Sequence, residues 1–241
     1  MSISAAMLSF VLLVLETTAG EGASAAMAAI SQRSRFERAL PILDKKHTRD
    51  SRHKVDLEIL KVKCPDIQFV SRVQWLAKPP RNVRYISAAV GLVFYHHTER
   101  NQCFSIKDCS RIVYYWQEYH QKHKGWYDIG YTFLIGGDGS VYEGRGFGAV
   151  GAHTLGYNDK SVSFSFIGNF TYHAPSKTML TTAQNLIDCG IKVGKIRANY
   201  TLHGQRDANK RDCPEEAFYK QIRKSRHFGG RLTPYIYKFQ T

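Results

Sequence analysis

Gly91-Leu92-Val93-Phe94-Tyr95-His96-His97-Thr98 sets four consecutive large apolar or aromatic residues before a polar cluster. A half-exposed strand would alternate, so an unbroken aromatic-rich run of this length reads as a strand buried on both faces. His96, His97 and Thr98 end it, where a buried strand surfaces and offers ring nitrogens. After the run, Ile106, Ile112, Val113, Trp116 and Tyr119 recur at helical spacing up to about His123. Tyr131 to Ile135 reads as a second strand, Gly136-Gly137-Asp138-Gly139-Ser140 as a turn, and Val141 to Glu143 as the return of a hairpin. Val162, Phe164 and Phe166 alternate in a third strand. Met179 to Val193 is helical by spacing, and Phe218 to Ile222 begins a last helix. Strands interleaved with helices give an α/β or α+β layer architecture around one sheet, of which α/β is the expected class.

The chain has 241 residues, 43% of them hydrophobic and 12% aromatic, which excludes wholesale disorder and collagen-like repetition. Its formal net charge is +14, and the excess lies mostly on the flanks. Ser31 to Lys63 holds ten basic and five acidic residues, and Ala217 to Thr241 six basic and none acidic. No zinc-finger spacing, aromatic RNP strand or basic region with heptads accompanies the charge, so no nucleic-acid partner is expected. The cationic flanks instead suit adhesion to anionic surfaces.

Ala5 to Leu15 is apolar except for Ser9 and is followed by small residues up to Ala26. That length fits a secretory signal or a short apolar anchor better than a membrane span, which needs about 20 residues. The expected organisation is a leader over 1–26, a basic linker over 27–63, a packed domain over 64–228 and a basic tail over 229–241. The chain is expected to be secreted. Export permits disulfides, and the five cysteines, Cys64, Cys103, Cys109, Cys189 and Cys213, leave at least one unpaired. Cys103 and Cys109 could bridge locally. Asn169-Phe170-Thr171 and Asn199-Tyr200-Thr201 are glycosylation tripeptides.

His96, His97, Tyr131, His153 and Cys213 stand at strand ends and loops, and their imidazoles and thiolate are natural ligands for a catalytic zinc centre, which needs three protein ligands and an open position for water. Several segments together resemble the peptidoglycan recognition proteins, relatives of zinc-dependent phage-type amidases. They are Val70-Ser71-Arg72 with Trp75, Tyr95-His96-His97-Thr98, and Gly125-Trp126-Tyr127-Asp128-Ile129-Gly130-Tyr131. Val141-Tyr142-Glu143-Gly144-Arg145-Gly146, Gly151-Ala152-His153-Thr154 with Gly156-Tyr157-Asn158, and Gly204-Gln205-Arg206-Asp207 with Asp212-Cys213-Pro214 complete the set.

The resemblance implies a central mixed sheet flanked by helices, with an elongated groove that binds peptidoglycan or its muropeptide fragments. It implies disulfides Cys64–Cys189 and Cys103–Cys109, leaving Cys213 free. Zinc ligands would be His96, Cys213 and a histidine eight residues before Cys213, where this chain has Gln205. An amide oxygen is a poor zinc ligand beside imidazole, so the triad is incomplete. His203 is displaced by about 6.6 Å along a strand, too far to substitute. Without zinc no cofactor and no catalytic residue is expected; were the chain a low-activity N-acetylmuramoyl-L-alanine amidase, zinc would be the cofactor and Tyr131 catalytic. Arg211 replaces the Thr or Lys usual two residues before the cysteine.

The groove implied by the resemblance is lined by His96, His97, His120, Trp126, Tyr131, Arg145, Gly146, Phe147, His153 and Asn158. Arg145 with Gly125-Trp126 marks family members that prefer diaminopimelate-type peptidoglycan, the arginine pairing with the extra carboxylate. Phe147 stands where the family usually has Trp and would keep an apolar wall. Innate-immune pattern recognition follows, with association to related receptors as a further implication.

Overall fold

A computed structural model describes residues 56–237. The expected leader and most of the linker, as well as residues 238–241, lie outside the described residues. The elements run α1 (Leu57–Lys63), β1 (Phe69–Val70), β2 (Val90–His97), α2 (Ile106–Lys122), β3 (Phe133–Ile135), β4 (Val141–Glu143), β5 (Ser161–Phe166), α3 (Lys177–Lys192), β6 (Ile196–Gly204), a 3-10 turn (Gln205–Asp207) and α4 (Glu216–Ile222). The strands form one six-stranded sheet in the order β1-β4-β3-β5-β2-β6. The β3–β4 pair is the antiparallel hairpin, whereas β1–β4, β3–β5, β5–β2 and β2–β6 are parallel. This is the expected mixed sheet.

Side-chain alternation divides β2 between two layers. Val93 and Tyr95 face a large core with Phe164 and Phe166 of β5 and Met179, Ala183, Leu186 and Ile187 of α3. The opposite face of the sheet, through Leu134 and Tyr142, packs on Val113 and Cys109 of α2 and on Trp75. Phe94 and His96 point to this second side. Serines caught between the phenylalanines of β5 are buried too, as expected for a central strand covered on both faces. Ser105 and Ser176 cap α2 and α3 by accepting the backbone N–H three residues on, and so fix where each helix begins.

Two boundaries differ from the sequence reading. The packed unit begins before Cys64: α1 buries Leu57 and Leu60 in the α3-side core, and Asp56 caps it by accepting from the Glu58 N–H. The tail expected from 229 onward is folded as far as 237. Leu232 N–H donates to Asp207 O at 2.8 Å, Ile236 N–H to Ala208 O at 2.9 Å, and Lys210 N–H to Ile236 O at 3.0 Å. Tyr157 Oη donates to Pro234 O at 2.7 Å. These bonds bind the segment to the loops bearing Asn158 and Gln205. Cys64 bonds Cys189, tying α1 to α3, and Cys103 bonds Cys109 at the start of α2. Cys213 is free.

Candidate functional site

The parallel strands β5 and β2 end together, with His96 in register with Ser165 and His97 with Phe166. On the other side β2 pairs Phe94 with His203 and Tyr95 with Gly204. The ladder ends at that pair, and Gln205 follows Gly204 directly. Here β6 gives way to the 3-10 turn, which folds back so that Arg206 N–H donates to Cys213 O at 2.9 Å. Strand ends and turn thus bring His96 and Cys213 together, with Gln205 opening the turn between β6 and Cys213.

His96 Nδ1 lies 3.7 Å from Cys213 Sγ. Two ligands of one tetrahedral zinc ion, at the usual Zn–N and Zn–S lengths, would be about 3.6 Å apart. Two ligand positions are therefore in place, and the third is an amide. His203 does not supply it: its Nδ1 meets Gly230 O at 2.9 Å and its Nε2 meets Thr201 Oγ1 at 2.8 Å. A three-ligand zinc centre does not fit the residues present. Burial pushes the Cys213 thiol up to about 12, so a metal binding there would have to displace its proton.

Among the described residues one trio of potential ligands lies within 4.8 Å, His97, Glu99 and Cys213. Hydrogen bonding argues against it. His97 Nδ1 accepts the Phe170 N–H at 3.1 Å, so in the neutral ring the proton sits on Nε2. That Nε2–H is buried without a hydrogen-bond partner, 3.7 Å from the Glu99 carboxylate. A protonated nitrogen donates and does not ligate.

Around His96 the structure gathers Tyr131, with ring centroids 5.6 Å apart, and His153 at 5.5 Å. Thr154 Oγ1 joins them, 3.0 Å from His153 Nδ1 and 3.4 Å from His96 Nε2. The sequence reading quoted Thr154 within a motif and assigned it no role; lying directly after His153 was the available signal. Asn158 Oδ1 accepts the N–H groups of His153 and Thr154, both at 2.8 Å, and holds this loop. His120 of α2 accepts the Gly130 N–H on Nδ1 at 3.2 Å and stacks on Trp126 with centroids 4.6 Å apart. Its ring is 5.7 Å from Tyr131, so Trp126, His120, Tyr131 and His96 form a continuous aromatic row.

All these histidines are neutral. Burial lowers His96 to about 3 and His97 to about 4, and holds His153 well below its ordinary range. Burial, with Arg145 and Lys124 adding repulsion, lowers His120 to about 3. Below the free-imidazole value of 6.5 the unfolded chain takes up a proton here that the folded chain refuses. Stability is therefore complete above that pH and falls as the pH drops toward the folded value, by about 1.4 kcal/mol per pH unit for this ring. His120→Gln is expected to flatten the loss of stability between about pH 6 and 4, by about 3 kcal/mol over the range. Denaturant midpoints of both proteins across that range check it.

Three of the expected groove residues are placed elsewhere. Phe147 is fully buried in the α3-side core, 4.8 Å from the Phe133 ring and touching Phe164, so it forms no wall of the groove. A side-chain carbon on Gly190 would meet it at 2.9 Å, which shows how little room the site has. Phe147→Trp is expected to overpack that contact and cost about 1–3 kcal/mol without altering ligand affinity; paired melting and binding curves test this. Gly146 is buried, at φ 74°, and its N–H donates to Thr132 O at 3.1 Å, so it serves the turn. His97, the next residue on β2, points to the face opposite His96, where its Nδ1 accepts the Phe170 N–H.

Arg145 is more committed than a free carboxylate donor would be. Its guanidinium donates to Ile129 O at 2.6 Å, Val150 O at 2.8 Å and Asp128 O at 3.3 Å, leaving two of five N–H groups for a ligand. Beneath it Asp128 pairs with Arg72, Oδ2 to Nη1 at 2.9 Å, and accepts from Gln117 Nε2 at 2.7 Å. Arg72 also donates to Gly144 O and Lys78 O. This buried network ties the Trp126 loop to the Arg145 turn; motif reading placed Arg72 and Asp128 in matching segments but gave no function for them.

A family model described as N-acetylmuramoyl-L-alanine amidase matches residues 87–216. Peptidoglycan-recognition protein LB of Drosophila melanogaster is 40% identical over 162 residues, 67% of this chain and 70% of that protein. The solved peptidoglycan recognition protein-LE, in complex with tracheal cytotoxin, a monomeric diaminopimelic acid-type peptidoglycan, superposes with a TM-score of 0.66 at 35% identity. That match covers 67% of this chain and 96% of the other. A third structure, the ectodomain complex of peptidoglycan recognition proteins LCa and LCx with tracheal cytotoxin, gives a TM-score of 0.66 at 38% identity over 67% of this chain and 98% of the matched one. The fold agrees with that of these relatives, and the chain belongs to the peptidoglycan recognition protein family.

Proposed function

We propose that the chain is a secreted innate-immune pattern-recognition protein that binds diaminopimelate-type peptidoglycan and does not cleave it. The observation that carries this reading is the incomplete ligand set: His96 and Cys213 stand at zinc-ligand spacing while the third place belongs to Gln205. Water activation at neutral pH needs a Lewis acid or a base with a suitably placed pKa. With His96 and His153 desolvated and Tyr131 pushed far above its ordinary range by burial, none of these groups supplies a base at neutral pH.

What remains is a binding surface. Trp126 and Tyr131, the half-buried members of the aromatic row, offer ring faces, Arg145 keeps two N–H groups for a carboxylate, and the Asn158 amide NH2 is left to donate. Extended stem peptides carry carboxylates and amides along an otherwise thin backbone, which this mixture suits. The complexes of LE and of the LCa–LCx pair with tracheal cytotoxin support the ligand class and support association with related receptors. The alternative, a low-activity zinc amidase, draws on the retained His96, Tyr131 and Cys213 and on the amidase description of the matching family.

Calorimetric titration of chelator-treated protein with diaminopimelate-type and lysine-type muropeptides tests the reading. The diaminopimelate type is expected to bind at least about tenfold more tightly, the value of one charge-assisted contact. Equal affinity, a preference for the lysine type or no binding contradicts it.

A further inference from the structure

We propose that the chain carries N-linked glycans on Asn169 and Asn199. Both tripeptides are built alike: the middle residue is a buried aromatic, Phe170 at 1% and Tyr200 at 3% exposure, while the asparagine before it is exposed. Asn199 and Tyr200 are neighbours on β6, where side chains alternate between faces, and Asn169 closes a turn over Thr171, so in both places the aromatic is buried and the asparagine is left outward. Phe170 is held further by its N–H on His97 Nδ1 at 3.1 Å.

The amide nitrogens are available. Asn169 uses only its oxygen, accepting from the Thr171 N–H at 3.0 Å and the Thr171 hydroxyl at 2.6 Å. Among the described residues neither Asn169 Nδ2 nor Asn199 Nδ2 makes a hydrogen bond, so a sugar on that nitrogen displaces nothing. The two disulfides place folding in an oxidising compartment, where the sequon is read. The donor is a lipid-pyrophosphate-linked oligosaccharide. The asparagine nitrogen forms a bond to the anomeric carbon, the bond from that carbon to the pyrophosphate oxygen breaks, the amide gives up one proton, and the lipid pyrophosphate leaves.

The two positions differ in consequence. Asn199 lies on β6, the outer strand of the sheet, whose in-sheet partner is β2. Residues 227–229 already pair with this edge at Leu202, and bulk at Asn199 covers the stretch before it. Asn169 follows β5 at the strand ends that carry the site, so its glycan stands at the site's rim.

The test is intact-mass measurement of the full chain recovered from the medium of a eukaryotic secretory host, before and after peptide-N-glycosidase. Two glycans are expected to be lost, with Asn169 and Asn199 both converted to aspartate. Asn169→Gln and Asn199→Gln should each lose one glycan, and Thr171→Ala and Thr201→Ala should reproduce those losses without touching the asparagine. A wild-type mass unchanged by the glycosidase, or the loss of fewer than two glycans, overturns the proposal.

Discussion

Gln205→His is expected to create a tight zinc site. Position 205 directly follows Gly204, the last β6 residue paired with β2, and the 3-10 turn it opens is joined to Cys213 through the Arg206 N–H. A third imidazole would complete a set whose first two members already stand 3.7 Å apart. Because an outer-shell partner alone is worth about 10–100-fold in metal affinity, a missing direct ligand should change the affinity by more than about a hundredfold. Zinc binding also requires the Cys213 thiolate, so one proton is released as the metal binds and the variant's affinity rises with pH. Competition against a chromophoric chelator reads the affinity directly. An unchanged zinc affinity in the variant would mean that some other feature of the strand ends, not residue 205, keeps zinc out.

Arg72→Ala is expected to lower stability by about 3–5 kcal/mol, since it strands the Asp128 carboxylate at 5% side-chain exposure without its cation. For a domain of this size that corresponds to a fall in melting temperature of roughly 10 °C. The same change removes the donors that hold Gly144 O and Lys78 O, and so loosens the turn before Arg145. Affinity for diaminopimelate-type muropeptide should drop further than stability alone accounts for at temperatures where the variant remains folded. Arg72→Ala together with Asp128→Ala should recover part of the stability, because the stranded charge is gone, while the loss in affinity persists. Thermal melts of the single and double variants, with binding measured well below their midpoints, separate the two effects.

The parts of the fold that were legible in the sequence are those whose own pattern decides their structure. The unbroken run of β2, the helical spacing from Ile106 and the glycine-rich hairpin turn each carry their signal locally. β6 does not. Its residues Arg197 to Asn199 face solvent, and its burial comes from pairing with β2, a contact 100 residues away in sequence. α1 is seven residues long with two buried leucines, too short for a period to emerge from a charged stretch. The folded end of the chain is held largely by backbone hydrogen bonds to loops, which leave no mark in side-chain pattern.

The candidate site divides along the same line. His96, Tyr131, His153 and Cys213 converge as the motifs suggested, and Cys213 is the one cysteine left free. Phe147, Gly146 and His97 sit within the matching motifs yet serve the core or the backbone, because a motif fixes proximity in sequence and not the face on which a side chain emerges. Gln205 is the informative departure. A single residue, visible in sequence, acquires its meaning from a register that sequence alone does not supply.

The most direct test of the account is to measure zinc content and muropeptide amide cleavage on one zinc-supplemented, desalted sample of the natural chain, with binding of diaminopimelate-type peptidoglycan measured alongside. The incomplete ligand set predicts binding with far less than one zinc per chain and no cleavage. One zinc per chain together with cleavage would contradict it and make Gln205 a tolerated member of a working metal centre.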